Sequence, residues 1–277
     1  MTRASRTVHA VVLLVGLCWL LPVLGLVLVS LRDEGDPALW TFAPVHLTVD
    51  NYVAVFADSS LISAIATTVI VSLSATVVVS VLSVMAAYAL SWISFRGRRA
   101  VLLVTGLLVL VPVQVALLPI SRLYGRWGIY GDIPGLVLVH VAFGLPFGIV
   151  LLRGFMLGIP ADLIDAARVD GATERRVLSR LVVPMSAPAI TGLAAFQFLL
   201  VWNDLLIALV FAGHDAAPLT IALNSQLRQF DSNIGVVAAA SVASMVVPLV
   251  VFVTCRRFLL RAFVAGMSRG MSWTAPS

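Results

Sequence analysis

Long apolar runs, separated by short charged segments, dominate this chain. A helix needs about 20 apolar residues to cross a bilayer, and helices are required because lipid offers no partner for backbone amides. The pattern therefore predicts an all-α integral membrane protein with six transmembrane helices, forming one transmembrane domain over residues 1–277. The six runs that meet or approach the required length are residues 10–31, 61–93, 100–120, 133–152, 187–211 and 234–255.

Composition agrees with this prediction, since 61% of the 277 residues are hydrophobic and 11% are charged. The first run follows Arg3 and Arg6, as the core of a signal peptide would. It is too long for that core, however, and no small-residue cleavage site follows it. We therefore expect a retained signal-anchor helix.

The arginines predict the orientation. All 18 basic residues are arginine, and with a cytoplasmic N-terminus 14 of them fall in inside segments. Cytoplasmic segments of membrane proteins are enriched in basic residues, so both termini are expected in the cytoplasm. The arginines flank apolar runs, which makes the lipid bilayer, and not a nucleic acid, the expected partner of these charges. The four on the outside are Arg32, Arg122, Arg126 and Arg228.

Several kinds of chemistry are excluded. Without lysine the chain has neither a P-loop for ATP hydrolysis nor a Schiff base. Cys18 and Cys255 lie in apolar runs, and the four histidines lie far apart. We therefore expect no metal site and no cofactor. A membrane enzyme would need an acidic or histidine cluster near the membrane face, and the sequence has none, so a non-enzymatic function is expected.

The longest cytoplasmic segment, residues 153–186, has a helix–glycine–helix pattern. Pro160 suits a first helical turn, Gly171 suits a C-terminal cap, and Thr173 can cap a second helix. Pro184 and Pro188 are expected to redirect the chain into the fifth span. Such an element is either an amphipathic connector resting on lipid headgroups or a docking surface for a soluble partner. The pattern alone leaves both open.

This segment resembles the Glu-Ala-Ala loop of ABC importer permeases, which forms a coupling helix that inserts into a groove of the ATPase subunit. Asp165 stands where that family usually has Glu, and Leu178 where it often has Phe. The resemblance implies that coupling to an ATPase is carried by Asp165, Ala166, Ala167, Asp170, Gly171, Ala172, Leu178 and Pro184.

Weaker similarities, in the family's order, extend over about residues 50–270. They include Asp50-Asn51-Tyr52, Ala86–Leu90, Arg153-Gly154-Phe155 and Trp202-Asn203-Asp204. Together they resemble the second permease subunit of maltose-type, binding-protein-dependent importers. That resemblance implies a type I ABC importer permease fold and half of a translocation pathway for a sugar or oligosaccharide in a prokaryotic plasma membrane. The implied partners are a second, non-identical permease subunit, an ATPase dimer and an extracellular solute-binding protein.

Polar residues inside the predicted spans have two interpretations. Asp204 is the one carboxylate placed inside a span, next to Asn203. Intramembrane ionisable groups are functional candidates, and an alternative function is a proton-coupled transporter with Asp204 as carrier. A structural role for both residues is the favoured expectation. Gln114 and Gln197 could line a solute path, although contact with a neighbouring helix is expected.

Overall fold

The computed structural model describes residues 3–33, 46–213, 216–228 and 234–270, and these are predominantly helical. The remaining residues of the predicted domain over residues 1–277 lie outside the described ranges. The helices are α1 Arg3–Ser30, α2 Asp50–Ala57, α3 Ser59–Trp92, α4 Arg98–Val109, α5 Val113–Trp127, α6 Ile133–Met156, α7 Ala161–Val169, α8 Glu174–Arg176, α9 Val183–Trp202, α10 Leu206–Phe211, α11 Leu219–Arg228 and α12 Ile234–Gly270.

Five stretches of the described chain are long and apolar enough to cross a membrane, and a bent pair of helices allows a sixth crossing. This confirms the prediction of an all-α membrane protein with up to six spans. The helices extend beyond the apolar runs, because polar residues at a span's end continue the helix into the interface. The five stretches are Val11–Ser30, Ser59–Trp92, Ile133–Met156, Glu174–Trp202 and Ile234–Arg256.

The third predicted span, residues 100–120, is not one straight helix. It is divided into α4 and α5, whose axes differ by 104°. The break falls at Pro112, which lacks a backbone N–H and disfavours helical geometry in the preceding residue. Pro119, by contrast, lies inside α5 without interrupting it.

Both predicted ends of the fifth span, residues 187–211, are wrong. A continuous helical stretch begins at Glu174 and crosses Pro184 and Pro188, so these prolines do not redirect the chain. A π-helical turn, Val177–Val182, precedes them, and Val183 donates its N–H to the Leu178 carbonyl five residues back. The wider turn relieves the clash that Pro184 would make with the carbonyl four residues back. The helix ends at Trp202, and α10 follows after a three-residue break.

The chain divides into two compact units. The first comprises residues 1–65 and 221–247. Within it, Asn51 of α2 is buried and donates hydrogen bonds to the carbonyls of Ser30 (3.0 Å) and Arg32 (2.7 Å). The hydroxyls of Ser30 and Tyr52 lie 2.7 Å apart. Asn51 thus satisfies the carbonyl of Ser30, the last residue of α1, which has no partner within its own helix.

The second unit comprises residues 66–220 and 248–277. Two buried clusters occupy opposite ends of α6. One contains Leu136 and Val139 with residues of α3, α5, α9 and α10. The other contains Leu152 and Met156 with residues of α3, α7, the π-helical turn and α9. Helix α6 therefore connects the two buried clusters.

Two glycines permit close helix approach along α6. A Cβ atom on Gly148 would lie 2.3 Å from the Ser83 Oγ of α3, and one on Gly144 would lie 2.6 Å from the Gln197 Oε1 of α9. The sequence contains this Gly-x-x-x-Gly spacing, a pattern that is frequent by chance and gains meaning here from the contacts. Small residues at interfaces allow helix backbones to approach closely in membranes.

We predict that Gly148→Ala destabilises the protein by about 1–3 kcal/mol, the usual cost of overpacking. The midpoint of thermal unfolding of the purified protein in detergent measures this effect. Gly154→Ala is the matched control, because Gly154 lies on the same helix with nothing within 4 Å of an added Cβ. Equal midpoints for the two variants would refute the packing explanation. Adding Ser83→Ala should restore part of the stability of Gly148→Ala.

Candidate functional site

The segment between α6 and α9 forms the predicted helix–glycine–helix element. Helix α7 ends at Val169, and Gly171 has a φ of +80°, the left-handed conformation that glycine adopts readily. Ala172 donates to the Ala167 carbonyl and Gly171 to the Arg168 carbonyl, both at 3.0 Å, which is the Schellman cap. Thr173 occupies the N-cap position of the second helix, but its side chain makes no capping hydrogen bond.

Helix α7 is anchored by its inner face. Ile164 is 0% exposed and belongs to the buried cluster at the C-terminal end of α6. Burial of a side chain of this size contributes about 1.5–3 kcal/mol. Ala167, Ala172 and Leu178 pack against the same cluster and are partly buried. These three predicted coupling residues therefore hold the element in place.

Three arginines converge on the C-terminal end of α3. Arg98 donates to the carbonyls of Leu90 and Ser91, both at 2.9 Å. Arg153 also donates to Leu90 (3.2 Å), and Arg168 donates to Trp92 (3.1 Å). The last carbonyls of a helix lack partners within that helix and carry partial negative charge. Arginines from α4, α6 and α7 therefore bind one helix end and fix α7 against it.

Arg168 also links the two halves of the element. Its Nε lies 2.9 Å from Glu174 Oε1, and its Nη1 lies 3.4 Å from Asp165 Oδ1. The Tyr88 hydroxyl of α3 donates to Glu174 Oε2. The hydrogen bond with Glu174 raises the pKa of the Arg168 guanidinium, so this group stays charged at physiological pH. The network joins α7, the start of α8 and α3.

The outer face of α7 has no covering among the described residues. Val169 is 87% exposed, and Leu163 and Ala166 are also exposed on this face. Their spacing places them on one side of the helix. Acidic residues flank them, so the face is apolar with an acidic edge. The predicted residues that are exposed are Asp165, Ala166, Asp170 and Gly171, together with Pro184 inside α9.

A cavity of about 280 Å³ lies between α5, α6, α9 and α10. Its polar lining comes from Gln114, His140, Gln197 and Asp204, and its aromatic lining includes Phe143 and Phe147 of α6. Gln197 is 3% exposed, and its Oε1 has no hydrogen-bond partner among the described residues. The two glutamines thus share one cavity, and Gln197 also makes the expected contact with a neighbouring helix, at Gly144 of α6.

Asp204 and Asn203 lie in the break between α9 and α10 and not inside a span. Asp204 Oδ2 accepts hydrogen bonds from the N–H groups of Ile207 (2.9 Å) and Ala208 (3.1 Å). This carboxylate therefore caps α10, since early N–H groups of a helix lack internal partners. Asn203 is exposed and donates to the Leu199 carbonyl at 2.8 Å. Both contacts agree with the structural role expected for the pair.

Sequence reasoning missed the residues that anchor α7 and the histidine of the cavity. Tyr88 and Glu174 meet across 86 residues of sequence, and Arg153 reaches Leu90 across 63. A signal was available for His140, since a lone histidine inside an apolar run is costly unless it faces protein or a cavity. No local signal marks the pairing of Arg168 with Glu174 and Trp92.

The chain resembles known proteins over most of its length. It is 39% identical to the osmoprotective compounds uptake permease of Synechocystis sp., covering 94% of this chain and 90% of that protein. It is 33% identical to the trehalose transport system permease of Mycobacterium tuberculosis, with 91% of each chain covered. Identity to the alpha-glucoside permease of Rhizobium meliloti is 37%, over 82% of this chain and 62% of that protein.

The fold matches a solved structure. The crystal structure of a bacterial ABC transporter that imports the acidic polysaccharide alginate contains a chain that superposes with a TM-score of 0.76 at 22% identity. The superposition covers 93% of this chain and 98% of that one, which confirms the predicted type I permease fold. Residues 79–269 match the family described as binding-protein-dependent transport system inner membrane components. The chain therefore belongs to this family, the membrane-embedded permease subunits of ABC importers.

Proposed function

We propose that this permease subunit forms half of a translocation pathway for a sugar or oligosaccharide, driven by a separate ATPase dimer. The observation that carries the proposal is helix α7, which is anchored on its inner face by Ile164 and left uncovered on its outer face at Val169. A rigid, partly apolar face is suited to contact with a soluble subunit. The sugar assignment is supported by the names of the trehalose and alpha-glucoside permeases to which the chain is similar.

The proposed partners follow from the same similarity. A related fold belongs to an alginate transporter that was solved in complex with a periplasmic protein bearing an alginate pentasaccharide. By analogy, this subunit pairs with a second, non-identical permease and receives solute from an extracellular binding protein. ATP hydrolysis takes place in the ATPase pair, because the chain has no lysine for a P-loop.

Force is proposed to pass from α7 into the membrane through two routes. The apolar route runs from Ile164 into the buried cluster with Leu152 of α6. The polar route runs from Arg168 to the Trp92 carbonyl of α3 and through Glu174 to Tyr88. Closure of the ATPase pair on ATP would move α7 as a rigid piece, and α3 and α6 would move with it.

Both termini and α7 are proposed to lie in the cytoplasm, as the arginine distribution predicts. A cysteine-free background with Val169→Cys tests this, because Val169 is highly exposed. We expect an impermeant maleimide to label this residue in right-side-out membrane vesicles only after permeabilisation. The control is Leu47→Cys, which is also exposed and lies in the predicted outside segment. Labelling of Val169→Cys in sealed vesicles would contradict the orientation.

We predict that Ala166→Cys crosslinks to the ATPase subunit in the assembled transporter, since Ala166 lies exposed on the outer face of α7. Leu138→Cys is the control, because it is exposed on α6 at the end away from α7 and should give no such product.

Val169→Asp should reduce ATP-driven uptake by about tenfold, because an added charge disrupts an apolar contact. A surface change of this kind leaves folding nearly unaffected. Normal uptake by Val169→Asp would contradict docking through this face.

We predict that Arg168→Gln loosens α7. The substitution removes the hydrogen bond to the Trp92 carbonyl, where a charged donor contributes about 1.5–3 kcal/mol. It also removes the solvent-exposed pair with Glu174, which adds at most about 1 kcal/mol. Amide exchange in residues 163–170 of the assembled transporter should accelerate at least about tenfold, the factor that corresponds to 1.4 kcal/mol. Arg175→Gln removes an equal charge from an exposed neighbour and should leave exchange unchanged. Equal exchange in both variants would refute the polar route.

A further inference from the structure

The cavity between α5, α6, α9 and α10 has the composition of a binding site. Polar groups from three helices and from the break between α9 and α10 converge on a space of about 280 Å³; they are Gln114, His140, Gln197 and Asp204. The aromatic rings of Phe143 and Phe147 lie on the same lining. Sites for small molecules are typically concave and mostly apolar, with a few convergent polar groups that fix orientation.

Gln197 carries a second, independent indication of a ligand. It is 3% exposed, it lines the cavity, and its Oε1 has no partner among the described residues. A buried acceptor without a partner costs about 1–3 kcal/mol, and the cost rises in an apolar environment. Its amide lies against Gly144, where any larger residue would collide with it. The packing thus maintains an amide whose oxygen is left without a partner by the described residues.

The lining is suited to an uncharged ligand rich in hydroxyls. Amide side chains such as Gln114 and Gln197 both donate and accept hydrogen bonds, and imidazole also does both. These capacities complement hydroxyl groups, while the flat faces of Phe143 and Phe147 suit the C–H faces of a sugar ring. The described residues that line the cavity include no arginine, and the one carboxylate, Asp204, would repel an anion.

We infer that this subunit itself holds part of the transported solute, at a half-site for a neutral polyhydroxylated molecule formed by Gln114, His140 and Gln197. The inference rests on the proposed function, because it places the solute of that pathway at a named site. It also separates this chain from its structural relative, which imports the acidic polysaccharide alginate. Bidentate arginine is the usual partner of a carboxylate, and the cavity lining lacks it.

The test uses the complete transporter, with its binding protein, in proteoliposomes. Uptake is measured with radiolabelled trehalose, sucrose, maltose and digalacturonate, alongside ATP hydrolysis. We expect ATP-dependent uptake of at least one neutral disaccharide and less of digalacturonate. Preferred uptake of digalacturonate would overturn the half-site while leaving the importer function intact. Absence of ATP-dependent uptake of every sugar would overturn the proposed function, and the half-site with it.

The variants Gln197→Leu and Gln114→Leu then test the residues. Each should reduce uptake of the neutral disaccharide by about tenfold, the factor that corresponds to a loss of 1.4 kcal/mol. The amount of sugar taken up per ATP hydrolysed should therefore fall in both variants, because the solute site is changed and α7 is untouched. A structural defect would lower both rates together, and such a parallel loss in both variants would overturn the half-site. Gln114 is exposed, so its replacement should not disturb packing.

Ser186→Ala is the matched control. Ser186 lies on the same helix as Gln197 and is 0% exposed, with an Oγ that also lacks a hydrogen-bond partner among the described residues. It does not line the cavity. Both uptake and ATP hydrolysis should therefore be unchanged in this variant. Unchanged uptake in both glutamine variants would show that the cavity does not hold the solute.

Discussion

The last carbonyl groups of α3 must find partners where the helix ends, because an unsatisfied backbone group is costly near an apolar medium. Arginines from three other helices supply these partners at Leu90, Ser91 and Trp92. The need of the last α3 carbonyls for hydrogen-bond donors thereby joins α3 to α4, α6 and α7. The helix–glycine–helix element is built on this junction, and so is the proposed transmission of force from an ATPase.

The two faces of α7 differ in their burial. Its inner face is apolar and fully buried at Ile164, whereas its outer face leaves Val169 exposed. An amphipathic connector resting on lipid would also expose apolar residues, but it would not need a fixed ionic network beneath it. The network of Arg168, Glu174 and Tyr88 makes the element stiff. Stiffness is what a coupling surface requires, because a flexible helix would absorb the motion that it receives.

Close packing links this junction to the cavity. Gly148 lies against Ser83 near the junction, and Gly144 lies against Gln197 at the cavity. Both glycines belong to α6, so α6 contacts α3 at one point and α9 at the other. A displacement of α6 would therefore alter the cavity directly. The geometry gives the importer a short physical path between the place where force is proposed to enter and the place where solute is proposed to bind.

The amino-acid sequence by itself determined the membrane class, the approximate position of most spans and the turn at Gly171. An apolar run predicts a span because each of its residues favours transfer from water into the membrane. A glycine after a helix predicts a left-handed backbone conformation at that one position. These are properties of neighbouring residues, and they need no knowledge of the fold. The same local reasoning erred at Trp202, where α9 ends inside the predicted fifth span, because hydropathy alone does not say whether an apolar stretch is one helix or two.

Only the tertiary structure decided which distant residues meet. Arg168 pairs with Glu174 through the cap at Gly171 and with Trp92 through the packing of α7 on α3. Gln114, His140 and Gln197 share a cavity only because α5 bends away from α4 and α6 packs closely on α9. The sequence marks these side chains only as polar residues in apolar runs. It does not say which of them meet, since hydrogen bonds act over about 3 Å in space and not along the chain.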